Sequence, residues 1–210
     1  SLECYNQEMK VALVYDRVNK WGGAERVLLA LHEIFPKADL FTAVYSPSKA
    51  KWARVFPRVI PSFLQKIPFA NSNHEFLGTF TPIAFETFDF GGYDLVISVT
   101  SEAAKGIITK TGTIHICYCL TPTRYLWSAH NYYFNKPPAK FRFIPFFKYV
   151  SRPLVKYLKS WDKIAAQRPD KMIAISNAVK ERIKKYYKRD SEVIYPPVDI
   201  DKFVLKNPDK

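Results

Sequence analysis

Cysteine is scarce in this chain: Cys4, Cys117 and Cys119 are the only three among 210 residues. An odd, sparse set builds no disulfide framework and points to a reducing compartment. No apolar run approaches the ~20 residues that cross a bilayer. The opening SLECYNQEMK has neither the charged n-region nor the apolar h-region of a signal peptide. The expected location is therefore cytoplasmic. Three familiar motifs are also missing. No G-x-G-x-x-G follows the first apolar run, which excludes the dinucleotide fingerprint. No G-x-x-x-x-G-K-[ST] occurs, which argues against P-loop nucleotide chemistry, and there is no G-x-S-x-G nucleophile elbow. Internal repeats and low-complexity tracts are lacking too.

What is abundant is positive charge. The chain has 32 Lys and Arg against 19 Asp and Glu, a net +13. Such an excess implies anionic partners: nucleic acid, phosphorylated small molecules or an anionic membrane face. At 48% hydrophobic residues the chain can also bury a real core.

Short apolar runs alternate with helical patterns. KVALVY (Lys10–Tyr15) reads as a first strand, and GGAERVLLALHEIF as a helix whose apolar face is Val27, Leu28, Leu31 and Ile34, stopped by Pro36. Ala38–Tyr45 reads as a second strand and Val55–Ile60 as a weak one. A helix is expected between Asn73 and Phe88, with Pro82 awkwardly inside it. Asp94–Val99 is the next strand, and SEAAKGI opens a helix capped by Ser101. Thr113–Cys119 and Lys171–Ser176 are further strands, NAVKERIKKYY a short amphipathic helix, and SEVIYPP a closing strand. This alternation implies an α/β fold: a mostly parallel sheet with helices on both faces.

Ligands of open parallel sheets sit beyond the carboxyl ends of the strands. Asp16 and Arg17 follow the first strand directly, so they are candidates to shape a substrate cleft. In WGGAER, Gly22 and Gly23 permit close backbone approach just before a helix whose first N–H groups are free. The junction is either a plain tight turn or a seat for a phosphate, a carboxylate or a sugar hydroxyl. Glu25 suits the helix dipole. Arg26 either faces solvent or reaches a ligand phosphate.

His115 shares a strand face with Cys117 and Cys119, with Ile114, Ile116 and Tyr118 opposite. Side chains two apart on a flat strand do not converge on a tetrahedral ion and no fourth ligand is evident, so a buried histidine is expected rather than a metal site. His32 falls in the first helix and His74 in a stretch whose pattern is unclear, neither with a visible partner. The segment SRPLVKYLKSWDKIAAQR has helical spacing, with Ser151 as cap and Pro153 in the first turn. Val150, Leu154, Tyr157, Leu158, Trp161 and Ala165 share one face; Lys148, Arg152, Lys156, Lys159 and Lys163 share another. The basic side is either a solvated surface or, with FRFIPFFKY just upstream, an interfacial helix drawn to anionic lipid.

KVALVYDRVNKWGGAERVLLAL, VTSEAAKGI, HICYCLTPTRYLW, DKMIAISNAVKERIKKYY and VIYPPVDIDKF resemble, in this order, segments of the amino-terminal domain of GT-B glycosyltransferases of the retaining, GT4-like class. The resemblance runs from Met9 to Phe203. It implies a Rossmann-like, acceptor-side domain over residues 10–199, after a tail at 1–9 and before an interdomain linker beginning at 200–210. The carboxy-terminal donor-binding domain is then missing from this chain. The full enzyme would transfer a hexose, mannose or glucose, from a nucleotide sugar such as GDP-mannose or UDP-glucose to a glycan or lipid-linked acceptor, with no cofactor or metal required.

By the same resemblance, Gly22 and Gly23 form the glycine loop near the donor diphosphate and the acceptor. Ser101 and Glu102 stand at the end of the central strand, and Arg124 and Trp127 line the cleft. Relatives often have histidine where this chain has Leu120, which can neither donate nor accept a proton; Ser128 stands where an acid is common. His130, in the loop beyond the same strand, either compensates for Leu120 or is a surface histidine. Two other classes fit the charge: a basic nucleic-acid-binding module, which lacks any RRM, KH, zinc-finger or helix-turn-helix signature, and a non-catalytic membrane-docking subunit of a split transferase, peripheral on the inner face of the membrane.

Overall fold

The computed structural model describes residues 9–67, 79–128 and 147–198, with the side chains of 147–151 left out. Among the described residues seven strands form one sheet: β1 (Val11–Tyr15), β2 (Asp39–Thr42), β3 (Val59–Pro61), β4 (Leu95–Thr100), β5 (Ile114–Cys119), β6 (Lys171–Ala174) and β7 (Glu192–Val193). Their order is β3-β2-β1-β4-β5-β6-β7, and every pairing is parallel. This is a Rossmann-like arrangement. The order reverses between β1 and β4, whose outgoing chains diverge and open a crevice at their carboxyl ends.

The central strands have no polar face because both faces are covered. β1 is buried at all five positions. Val11, Leu13 and Tyr15 pack with Leu40, Ile97 and Val99 against Val27 and Leu28 of helix α1 (Gly23–Ile34). Ala12, Val14 and Val96 point the other way, to Ala84 and Phe85 of helix α2 (Thr81–Glu86) and to Ala103, Ala104 and Ile107. Helix α3 (Phe147–Ala165) lies on that second face and lays Trp161 against Gly106, where a Cβ would come within 2.4 Å of the indole. Helix α4 (Asn177–Tyr187) buries Val179, Ile183 and Tyr187 against Cys117, Cys119 and Met172. Its N-cap is Ser176, whose hydroxyl accepts from the Val179 N–H at 3.3 Å. Turns entering β4 and β5 place Gly92 and Gly112 at φ 97° and 95°, a region that other residues rarely adopt.

Several local expectations shift. The second strand is shorter than Ala38–Tyr45. The weak strand lies at Val59–Pro61 rather than Val55–Ile60, because Lys51–Val55 forms a 3-10 turn that carries Ala53 and Phe56 into the core. Pro61 is tolerated as the last residue of an edge strand. Pro82 is not awkward: α2 begins at Thr81, so the proline sits in the first turn, where no N–H is missed. No helix follows Ser101. Only a 3-10 turn, Ala104–Gly106, forms, because the preceding amides are taken by a carboxylate described below. Helix α3 starts at Phe147, so Ser151 is inside it rather than at its cap, and Pro153 is an interior residue.

Candidate functional site at the carboxyl edge of the sheet

Asp16 leaves β1 at the crevice between β1 and β4, buried to 5% exposure. Its carboxylate accepts from the backbone N–H groups of Ser101 (2.7 Å), Glu102 (3.0 Å), Ala103 (3.0 Å) and Ala104 (2.9 Å). The Thr100 hydroxyl donates to the same carboxylate at 2.9 Å, and the Ser101 hydroxyl at 3.4 Å. Four successive amides turned to one point form an anion-binding nest. Here the chain's own side chain fills it. The arrangement ties β1 to β4 across 84 residues and turns Ser101 into an amide donor rather than a helix cap. Sequence patterning could not supply this, since it depends on a contact far along the chain.

Arg17 stands next to Asp16 and pairs with Glu102; their side chains are 22% and 19% exposed. Burial pushes the Glu102 carboxyl above the usual carboxylate range, with Arg17 opposing and Asp16 reinforcing that shift. Further along the same connection, Gly22 is the N-cap of α1 and gives it no side-chain cap. Its φ of −175° is extended backbone open to any residue, so conformational freedom is not its reason. Space is: a Cβ on Gly22 would meet Glu25 Oε2 at 3.0 Å, whereas one on Gly23 would meet nothing. Glu25 is buried and turned inward, accepting from the Tyr15 hydroxyl at 2.8 Å. Burial and that carboxylate push the Tyr15 phenol well up. Arg26 is exposed.

A second cluster lies beyond β5. Lys105 and Asp162 are each 1% exposed and 2.6 Å apart. Asp162 also accepts from the Thr123 hydroxyl (2.9 Å), the Trp127 indole N–H (2.7 Å) and the Tyr187 hydroxyl (2.8 Å). Burial works to lower the Lys105 pKa, but Asp162 outweighs it and the ammonium is held charged. Lys105 also donates to the Glu102 carbonyl, which links this hub to the crevice. Trp127 stacks on Tyr186 with centroids 5.3 Å apart, and the Lys159 and Lys163 ammonium groups sit 5.6 and 5.5 Å from its ring. Trp127 is thereby clamped between α3 and α4, and two of the five basic residues of the stripe, Lys159 and Lys163, lie against its ring. Arg124 and Ser128 are exposed, Leu120 is half-buried at the end of β5, and His130 and His74 lie outside the described residues. Sequence reading missed Lys105, Asp162, Thr123 and Tyr187. One signal was available: Asp162 is an acid on the apolar line of α3, four residues from Leu158.

His115 is buried, with Nε2 2.9 Å from the Ser98 hydroxyl and Nδ1 without a partner. Burial pushes the Cys117 thiol up to about 11 and the Cys119 thiol well above its ordinary value, so neither is a reactive thiolate. Among the described residues no group of three or more His, Cys, Asp or Glu could hold a metal ion. His32 packs its ring on Phe56 at 4.8 Å.

A groove of about 870 Å³ opens at the other end of the strands, lined by residues that include Lys10, Phe35, Asp39, Arg58 and Tyr93. There Arg58 holds the Asp39 carboxyl below the usual range, helped by the Tyr93 hydroxyl. This groove lies at the amino ends of β1 and β4, whereas ligands of open parallel sheets sit beyond the carboxyl ends, so the carboxyl edge is the candidate site.

The sequence model of Glycosyltransferase Family 4 matches residues 21–202. The chain belongs to Glycosyltransferase Family 4. The Rossmann-like sheet is that of an amino-terminal GT-B domain, and membership supports catalytic potential. Among curated proteins none matches the chain. Among solved structures, the chain is similar to "Anabaena Alr3699/HepE in complex with UDP", at 15% identity and a TM-score of 0.46. The match covers 92% of this chain and 45% of that one, so this chain spans under half the length of the structure it matches. No helix of the described residues is long and apolar enough to cross a membrane.

Proposed function

We propose that this chain is the acceptor-side half of a retaining hexosyltransferase. The whole enzyme moves mannose or glucose from a nucleotide sugar, such as GDP-mannose or UDP-glucose, to a glycan or lipid-linked acceptor. The observation that supports this most is the β1–β4 crevice of a family-4 chain. It carries the guanidinium of Arg17 and, later in the same β1–α1 connection, the α1 N-terminus at Gly22 and Gly23 without a side-chain cap. Positive charge and helix amides are what a departing diphosphate needs. Retaining transfer of this kind does not demand the paired carboxylates of a glycosidase. Leu120 takes no part in proton transfer, so the acceptor hydroxyl loses its proton to another group.

A second domain, outside this chain, holds the nucleotide in this reading. The 210-residue chain alone is therefore expected to turn over a panel of nucleotide sugars at background rate, and the protein with its donor domain is expected to transfer with the anomeric configuration kept. Robust transfer by the isolated chain overturns the half-enzyme reading; inversion in the product overturns retention.

A membrane role is favoured by one feature of α3. Its first turns carry exposed Leu154 (37%) and Tyr157 (53%) beside exposed Arg152 and Lys156. Each basic side chain near an anionic leaflet contributes about 1 kcal/mol. Vesicles containing anionic lipid should co-sediment the parent, and the Lys148→Glu/Arg152→Glu/Lys156→Glu variant should stay in the supernatant. Equal behaviour of the two proteins removes this helix as a membrane contact.

A further inference from the structure

The β1–β4 crevice lies where an open sheet receives the anionic part of a ligand. In this chain the four amides that would receive it already hold Asp16. The neighbouring cation, Arg17, is half-buried at the lip and pairs with Glu102. A ligand oxyanion entering the crevice must therefore compete with Glu102 for the guanidinium. Once Arg17 turns to the ligand, the Glu102 carboxylate is left in a confined space. The charged or titratable groups facing it are the Asp16 carboxylate from the β1–α1 loop, the Lys105 ammonium from the turn after β4 and the Tyr125 phenol from the loop after β5. Lys105 is committed to Asp162 and to the Glu102 carbonyl rather than its carboxylate. A carboxylate beside another carboxylate, stripped of its counter-ion, is neutralised rather than left charged.

We propose that Glu102 is the specificity-determining residue of the crevice: it reserves Arg17 for a phosphate-class oxyanion, yields it on binding, and takes up one proton from solvent as it leaves. The exchange balances. One Arg17–carboxylate ion pair breaks, one Arg17–oxyanion pair forms, and the Glu102 carboxylate becomes a carboxylic acid. A neutral ligand cannot drive it, so the pair discriminates against uncharged sugars at this position. The raised pKa of Glu102 supports the uptake. The proposal rests on the transferase reading only for the origin of the oxyanion, which is either a donor diphosphate or an acceptor phosphate.

The test is calorimetric titration of the chain with inorganic sulfate, a dianion that does not itself titrate near neutral pH. Titrations run in two buffers of different ionisation enthalpy. The parent should take up close to one proton per sulfate. Its affinity should rise as pH falls from about 8 to about 5.5, by up to about tenfold per unit. Glu102→Gln should bind at the higher pH as tightly as the parent does at the lower, with no proton uptake, and Arg17→Met should not bind. Sulfate binding by the parent without proton uptake overturns the proposal, as does no binding at either pH, and both readings stand even if a variant fails to fold. Displacement of sulfate by a nucleoside diphosphate assigns the site to the donor; displacement by a short alkyl phosphate assigns it to the acceptor. Nucleotide-sugar transfer by an enzyme that takes up no proton overturns this proposal and leaves the transferase reading. Proton-coupled binding without transfer from any nucleotide sugar does the reverse.

Discussion

Asp162→Ala is expected to lower stability by ~3–5 kcal/mol, the cost of leaving a buried charge unpaired. Lys105 is 1% exposed and Asp162 is the carboxylate beside it, at 2.6 Å. The same substitution removes an acceptor of the Thr123 hydroxyl, the Trp127 indole N–H and the Tyr187 hydroxyl, and the residues Thr123 and Tyr187 are buried. The loss also reaches function. The hub joins the turn after β4 to the loop after β5 and to helices α3 and α4, so Trp127 and the Glu102 backbone lose their common anchor. Urea denaturation followed by circular dichroism reads the effect. The Lys105→Met/Asp162→Leu double variant should cost less than the two single changes summed, because no charge remains buried. A cost under about 1 kcal/mol for Asp162→Ala would show that the hub is solvated or replaceable.

Acid should destabilise the fold through His115. Burial lowers its pKa from 6.5 to about 3, with Arg168 and Arg189 adding to the shift and Asp170 opposing it. The neutral ring is the folded form. Stability from this group is complete above the unfolded pKa, about 6.5, and is lost as pH falls toward the folded value, about 3. Between these limits the unfolded chain holds one more proton, so the loss approaches about 1.4 kcal/mol per pH unit. Depressed carboxyls such as Asp39 add to it only at lower pH. Replacing the imidazole with an amide, His115→Gln, should flatten the dependence between about pH 6.5 and about pH 4, at a fixed cost from imperfect packing. An unchanged slope in the variant would mean that the ring is protonated in the folded state.

The strands and flanking helices were legible because each carries its own pattern. VALVY and LVISVT are short apolar runs, and Val27, Leu28 and Leu31 repeat at helical spacing. The Gly22–Gly23 junction falls at the carboxyl edge as expected because the loop that leaves β1 leads to it. The site's inner chemistry was not legible. SEAAKGI has good helix formers, yet its amides close on Asp16, a partner 85 residues earlier. No local propensity reports such a contact. Nothing in the local sequence marks Lys105, and only its packing with Asp162 of α3 and Tyr187 of α4 reveals it as buried. Lys159 and Lys163 fitted a basic stripe by spacing, but the ring beneath them, Trp127, comes from a different segment.

The claim on which the rest depends is that substrate meets this chain at the β1–β4 crevice and not at the groove beyond the other ends of the strands. Transfer kinetics of the protein with its donor domain, compared between Arg17→Ala and Lys10→Ala, test it directly. Removing one charge-stabilising donor from a transferase site costs ~10²-fold or more in rate. We predict a loss of that order in kcat/KM for Arg17→Ala and parental kinetics for Lys10→Ala, whose side chain borders the distant groove. Parental kinetics for Arg17→Ala together with a large loss for Lys10→Ala would contradict the account.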